Sequence, residues 1–135
     1  MVSTQDTVPL DRLVGNLLGS VPGIAGAVVA SSDGLLLSSV GLARDQAERH
    51  AAAGISLLAL GHAMGGTTGR GSCEQILLRY TRGHLVCMRI QAPAALIVEA
   101  EPGANLGAVA TAMTQFVTSV GPAFAPELRG GRESG

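Results

Sequence analysis

Lysine and tryptophan are absent from the 135 residues, and aromatic side chains number only two phenylalanines and one tyrosine. Any core must therefore be built from Leu, Val, Ile, Ala and Met, and all nine basic residues are arginines. Charge of one sign is also missing: nine Arg against ten Asp+Glu leave a net charge of −1, which provides no basic field for nucleic acid. Cysteine is scarce, and Cys73 and Cys87 lack CxxC spacing, so reduced thiols are the default. No apolar run approaches the ~20 residues of a membrane helix, because Gly54, Ser56, Gly61 and His62 interrupt the longest one. The N-terminus carries Asp6 and Asp11 and has no apolar stretch resembling a secretory signal, so a cytoplasmic location is expected.

What is present is aliphatic and glycine-rich, with 47% hydrophobic residues and 19 Gly. Those values suit one folded domain rather than a disordered chain. Pro9 stands where a helix can begin without needing its N–H, and Leu10, Leu13, Val14, Leu17, Leu18 and Val21 repeat at helical spacing up to Pro22-Gly23. Two apolar runs, Ile24 to Ala30 and Leu35 to Val40, flank Asp33-Gly34 and predict a hairpin. A second helix is predicted from Ala43 to about Met64, followed by a flexible loop from Gly65 to Ser72. Three short runs, Glu74–Tyr80, Gly83–Ile90 and Ala94–Ala100, are joined by connectors short enough to require antiparallel neighbours. A last helix opens at Asn105, buries Leu106, Val109, Met113, Phe116, Val117 and Val120, and is expected to stop at Gly121-Pro122.

The order is thus α-β-β-α-β-β-β-α. It predicts an α/β (α+β) domain over residues 9–121, with a five-stranded antiparallel sheet between helices on both faces. Residues 1–8 and 122–135 are expected to be disordered ends. The second helix carries a narrow stripe of small residues, Ala47, Ala51, Gly54, Gly61 and Gly65, with Leu58 among them. A stripe of that kind lets another backbone approach, either the chain's own sheet or a second subunit. The apolar strand Leu35–Val40 is a candidate sheet edge, which invites pairing with its own copy across a two-fold axis.

Catalytic constellations are lacking. The histidines His50, His62 and His84 fall on separate elements without metal-ligand spacing. His62 is expected to be partly buried, and His50 to face solvent or a partner. Gly66 and Gly71 have the separation of a phosphate loop, but Ser72 occupies the lysine position and the loop follows a helix. No G-x-S-x-G elbow occurs, Cys87 lies in a strand interior, and Glu99 and Glu101 at a strand end are explained by solvation. No metal, cofactor or enzymatic activity is expected, and the weight falls on a binding or scaffold role. The alternative is a small-molecule sensory domain of the α/β type; it requires an internal cavity, for which the sequence offers few interior polar groups.

The run Val21-Pro22-Gly23-Ile24-Ala25-Gly26-Ala27-Val28-Val29-Ala30-Ser31-Ser32-Asp33-Gly34-Leu35, with Ala47-Glu48-Arg49-His50-Ala51-Ala52 and Asn105-Leu106-Gly107, resembles the roadblock family of dynein light chains and their prokaryotic relatives. The resemblance covers about Pro9 to Gly121 and implies a roadblock/profilin-like fold. It also implies a homodimer joined through the second strands, at Leu35, Leu36, Leu37, Ser38 and Ser39. The second helices would then lie side by side through Ala47, Ala51, Gly54, Ile55 and Leu58. Bacterial relatives regulate Ras-like small GTPases, and in actinobacteria they accompany a sensor-kinase-like protein and a GTPase. Those two are the implied partners, with no nucleic acid, no direct membrane insertion, and membrane recruitment only through a partner. The GTPase contact would involve Arg44, Asp45, Glu48 and Arg49. Arg70 is the only candidate for an arginine inserted at the GTPase's own site, and a platform role is favoured over it.

Overall fold

The computed structural model describes residues 9–91 and 94–134, with side chains described as far as Pro122. Helix α1 (Leu10–Ser20) follows Pro9, whose carbonyl accepts hydrogen bonds from the Arg12 and Leu13 amides at 3.0 and 3.3 Å. Strands β1 (Ile24–Ser31) and β2 (Leu36–Val40) form the expected hairpin across Asp33-Gly34. Helix α2 (Arg44–Thr68) leads to β3 (Gln75–Tyr80), β4 (Gly83–Arg89) and β5 (Ala94–Ala100), and α3 (Leu106–Ser134) closes the chain. All pairings are antiparallel, and the sheet order β2-β1-β5-β4-β3 leaves β2 and β3 as its two edges among the described residues.

Strand periodicity divides the core in two. On one face Ala27, Val29, Val86, Met88, Leu96 and Val98 meet Val14 and Leu17 of α1 and Val109, Met113, Phe116 and Val120 of α3. On the other, Val28, Ala30, Leu85, Cys87, Ala95 and Ile97 meet Ala47, Ala51 and Leu58 of α2. Because β1, β4 and β5 are covered on both faces, they read as continuous apolar runs, whereas edge strand β3 alternates. The Asn105 side chain caps α3 by accepting the Ala108 amide at 3.0 Å.

Two helix ends differ from expectation. Helix α2 runs through Gly65 and Gly66 to Thr68 and ends at Gly69, a left-handed residue whose amide donates back to the carbonyls of Gly65 and Gly66. The hydroxyls of Thr67 and Thr68 donate to the Met64 carbonyl in the last turn, and the left-handed Gly69 closes the helix by satisfying its final carbonyls. Helix α3 continues past Gly121-Pro122 to Ser134 instead of stopping there. A proline removes one backbone donor and crowds the carbonyl four residues before it, a cost of about 3 kcal/mol that penalises a helix without forbidding it. The expectation for residues 1–8 lies outside the described residues.

Candidate functional site

The small-residue stripe of α2 points inward. Ala47 and Ala51 are completely buried and Leu58 nearly so. A Cβ at Gly54 would sit 2.8 Å from the Ile97 Cδ1 and closer still to its Cγ1, and one at Gly61 would sit 2.6 Å from the Cys73 Sγ. This corrects the expected helix contact between subunits: Ala47, Ala51, Gly54 and Leu58 are committed to the chain's own sheet, and of the five residues only Ile55 remains half-exposed. The physical reason is that a backbone can approach a sheet as readily as a helix when the side chains between them are small. Gly54 lies over β5 and β4, and Gly61 over Cys73 and Ile76 beside β3. The helix therefore advances toward the β3 edge as it proceeds.

Its apolar side chains without a partner follow from that course. At 100° per residue Leu57, Leu60 and Met64 share one flank of α2. Leu57 packs partly on the core, while Leu60 and Met64 are 62% and 64% exposed. They stand at the β3 end of the sheet, where Tyr80 is also exposed on the α2 face and Leu77 on the opposite face. Strand β3 pairs with β4 over six consecutive residues without a register shift, so its outer edge is regular.

The β2 edge differs in kind. Ser38 is buried and its hydroxyl donates to the Asp11 carboxylate of α1, while Leu36 packs toward the α2 core. Ser39 is half-buried, and only Leu35 and Leu37 face outward, at 62% and 46% exposure. The register shifts between Val29 and Ala30, where Leu37 is the extra residue. A bulge of this sort breaks the regular ladder that a pairing strand would need. Edges β2 and β3 stand four strand spacings apart, about 19 Å.

At the start of α2 the charged residues pair with one another. The Arg44 Nε lies 3.1 Å from the Glu48 carboxylate and the Arg49 guanidinium 3.4 Å from Asp45, both one helical turn apart and solvent-exposed. Such pairs stabilise by only about 0.3–0.5 kcal/mol and stay free to exchange partners. Arg70 is exposed on the segment after α2.

The histidines depart from expectation. His50 is partly buried, its Nε2 3.1 Å from the Glu99 carboxylate of β5, which ties the helix to the sheet. His62 is exposed, and His84 is buried with its Nδ1 unpartnered. The His50–Glu99 contact could not be found from spacing, since the two residues are 49 positions apart. His50, His84, Arg82, Glu99 and Glu101 line a polar cleft of about 480 Å³ at one end of the sheet. At the opposite end an apolar cleft of about 450 Å³ opens between α2 and the strands, walled by Ile55, Leu58, Ala59 and Ala95. Among the described residues no cluster of His, Cys, Asp and Glu is placed to hold a metal ion. Cys87 is buried, and burial, reinforced by the nearby Cys73, pushes its thiol up to about 11. It is protonated and inert at neutral pH. No helix among the described residues is long and apolar enough to cross a membrane.

Comparison with known proteins places these surfaces in a family. A crystal structure of a Roadblock/LC7 domain from Streptomyces avermitilis is 30% identical, covers 87% of this chain and 99% of its own, and superposes with a TM-score of 0.83. MglB from Myxococcus xanthus shares the fold at 13% identity, with a TM-score of 0.80 over 90% of this chain and 98% of its own. A further structure of MglB, with a tetrameric arrangement, shares it at 15% identity and a TM-score of 0.76, over 86% and 90% of the two chains. Curated proteins provide no match. The sequence model of the Roadblock/LC7 domain matches residues 10–100, two thirds of the chain and every element from α1 to β5, and the chain belongs to the Roadblock/LC7 domain family.

Proposed function

We propose that this chain acts as a non-catalytic, dimeric platform for a Ras-like small GTPase in the cytoplasm. The observation that carries the reading is the uncovered pair Leu60 and Met64 on the part of α2 that has reached the β3 side of the sheet, whose outer strand has a regular edge. Two copies related by a two-fold axis bury that surface reciprocally, extend the sheet across the axis, and bring their α2 helices side by side. This junction replaces the one at Leu35–Ser39, because the uncovered side chains of α2 and the β2 edge lie at opposite ends of the sheet.

In such a dimer the exposed residues Arg44, Asp45, Glu48 and Arg49 of both copies lie on the helix pair. Their weak internal pairs leave both signs of charge available to a partner. Binding there regulates the GTPase by ordering its switch segments rather than by inserting an arginine. A sensor-kinase-like protein is the second partner, and membrane association comes through the assembly.

Light scattering behind size exclusion tests the proposal, on the protein alone and with the small GTPase encoded nearest to it in its GDP and GTP-analogue states. The proposal expects a dimer that co-elutes with the GTPase in a nucleotide-dependent way. Arg44→Glu with Arg49→Glu should leave the dimer intact and weaken GTPase binding. A monomer indifferent to both nucleotide states overturns the platform, and unchanged GTPase affinity in the double variant removes these residues from the contact.

A further inference from the structure

We propose that the apolar cleft between α2 and the sheet binds a small amphipathic carboxylate, its chain against Ile55, Leu58 and Ala95 and its head group on Arg89. The cleft exists because of missing volume. Ala59 on the helix and Ala95 at the start of β5 stand where larger side chains would close the gap, and the remaining space is about 450 Å³. That size lies within the range of small-ligand sites, which are mostly apolar with a few placed polar groups. Here those groups are Arg89, Gln91, His62 and Ser32, and among the described residues no aspartate or glutamate lines the cleft.

Charge selects the ligand class. Arg89 is the last residue of β4 and pairs with Ala95, so its side chain projects on the α2 face of the sheet. It is only half-exposed, and among the described residues its guanidinium forms no ion pair. A partly desolvated guanidinium beside an apolar wall is best satisfied by a carboxylate, which accepts two parallel N–H bonds from it. A neutral apolar molecule leaves that donor fork unused, and a cation is repelled. Ile55 and His62 lie on the flank of α2 opposite Leu60 and Met64, so the cleft stays open when the proposed dimer forms. The thiol of Cys73, half-buried at the cleft wall, reports on its occupancy.

Decanoate serves as the probe, with decanol and decylamine as neutral and cationic controls, each titrated calorimetrically below its aggregation concentration. The expected result is saturable binding of one decanoate per chain, with decanol and decylamine at least tenfold weaker. Decanoate should also slow alkylation of Cys73. Arg89→Gln should weaken decanoate about tenfold or more, as loss of a charged hydrogen-bond partner does. Ala59→Leu, on an exposed helix position where Leu is nearly as favourable as Ala, should weaken all three probes by filling the cleft. Absence of saturable decanoate binding overturns the proposal, as do equal affinities for decanoate and decanol. Unchanged affinity in folded Arg89→Gln removes the guanidinium from the site. Should that variant fail to fold, the three-probe comparison and Ala59→Leu decide the matter on their own.

Discussion

Replacing Leu60 and Met64 together by glutamate perturbs the proposed dimer surface without touching the core. Full burial of a Leu or Met side chain contributes about 1.5–3 kcal/mol. Leu60 and Met64 are 62% and 64% exposed in the single chain, so most of that gain is still available to a partner. Each therefore adds about 1–2 kcal/mol when covered. A two-fold interface contains each residue twice, so the four side chains supply about 4–8 kcal/mol, or about three to six orders of magnitude in Kd. Glutamate on both copies removes that gain and sets like charges against one another. The monomer should be spared, because both positions are exposed and Glu suits a helix nearly as well as Leu or Met. Light scattering over a dilution series, with circular dichroism to confirm the fold, reads the result. The expected outcome is a folded monomer at concentrations where the parent chain is dimeric. A dimer of undiminished affinity refutes the assignment. Dissociation by Leu35→Glu with Leu37→Glu but not by Leu60→Glu with Met64→Glu would instead locate the junction at β2.

Gly54→Ala should lower stability by about 1–2 kcal/mol, because strain from the added Cβ against Ile97 exceeds the gain in helix propensity; a stabilised variant in a denaturant titration would show that the helix can lift off the sheet freely. Asn105→Ala should cost about 1 kcal/mol by leaving the Ala108 amide uncapped, and an unchanged Tm would remove the cap from the account. The Cys87 thiol, raised from 9.0 to about 11, stabilises the folded state in its neutral form. Its contribution is complete below pH 9 and is lost as pH rises toward 11, since the unfolded chain deprotonates first. Denaturant titrations across that window should therefore show falling stability in the parent and a smaller fall in Cys87→Ala; equal slopes would mean that other groups govern the alkaline limit.

The sequence by itself determined the local frame. Helix and strand periods, Pro9 and Asn105 at helix starts, and the hairpin at Asp33-Gly34 follow from interactions within a few residues, so the element order and the β2 edge were legible. Glycine and proline misled at two helix ends. They lower helix propensity without forbidding it, and α2 passes through Gly65 and Gly66 to close on the left-handed Gly69. Only the tertiary structure decided which neighbour each face meets. The small-residue stripe of α2 was compatible with a sheet or a second helix, and the packing of Gly54 on Ile97 and of Gly61 on Cys73 assigns it to the sheet. The same packing sends Leu60 and Met64 to the β3 edge, ties His50 to Glu99, and leaves Arg89 beside an open cleft. Those contacts join residues far apart in the chain, so no local pattern encodes them, and they depend on the order in which the strands lie side by side.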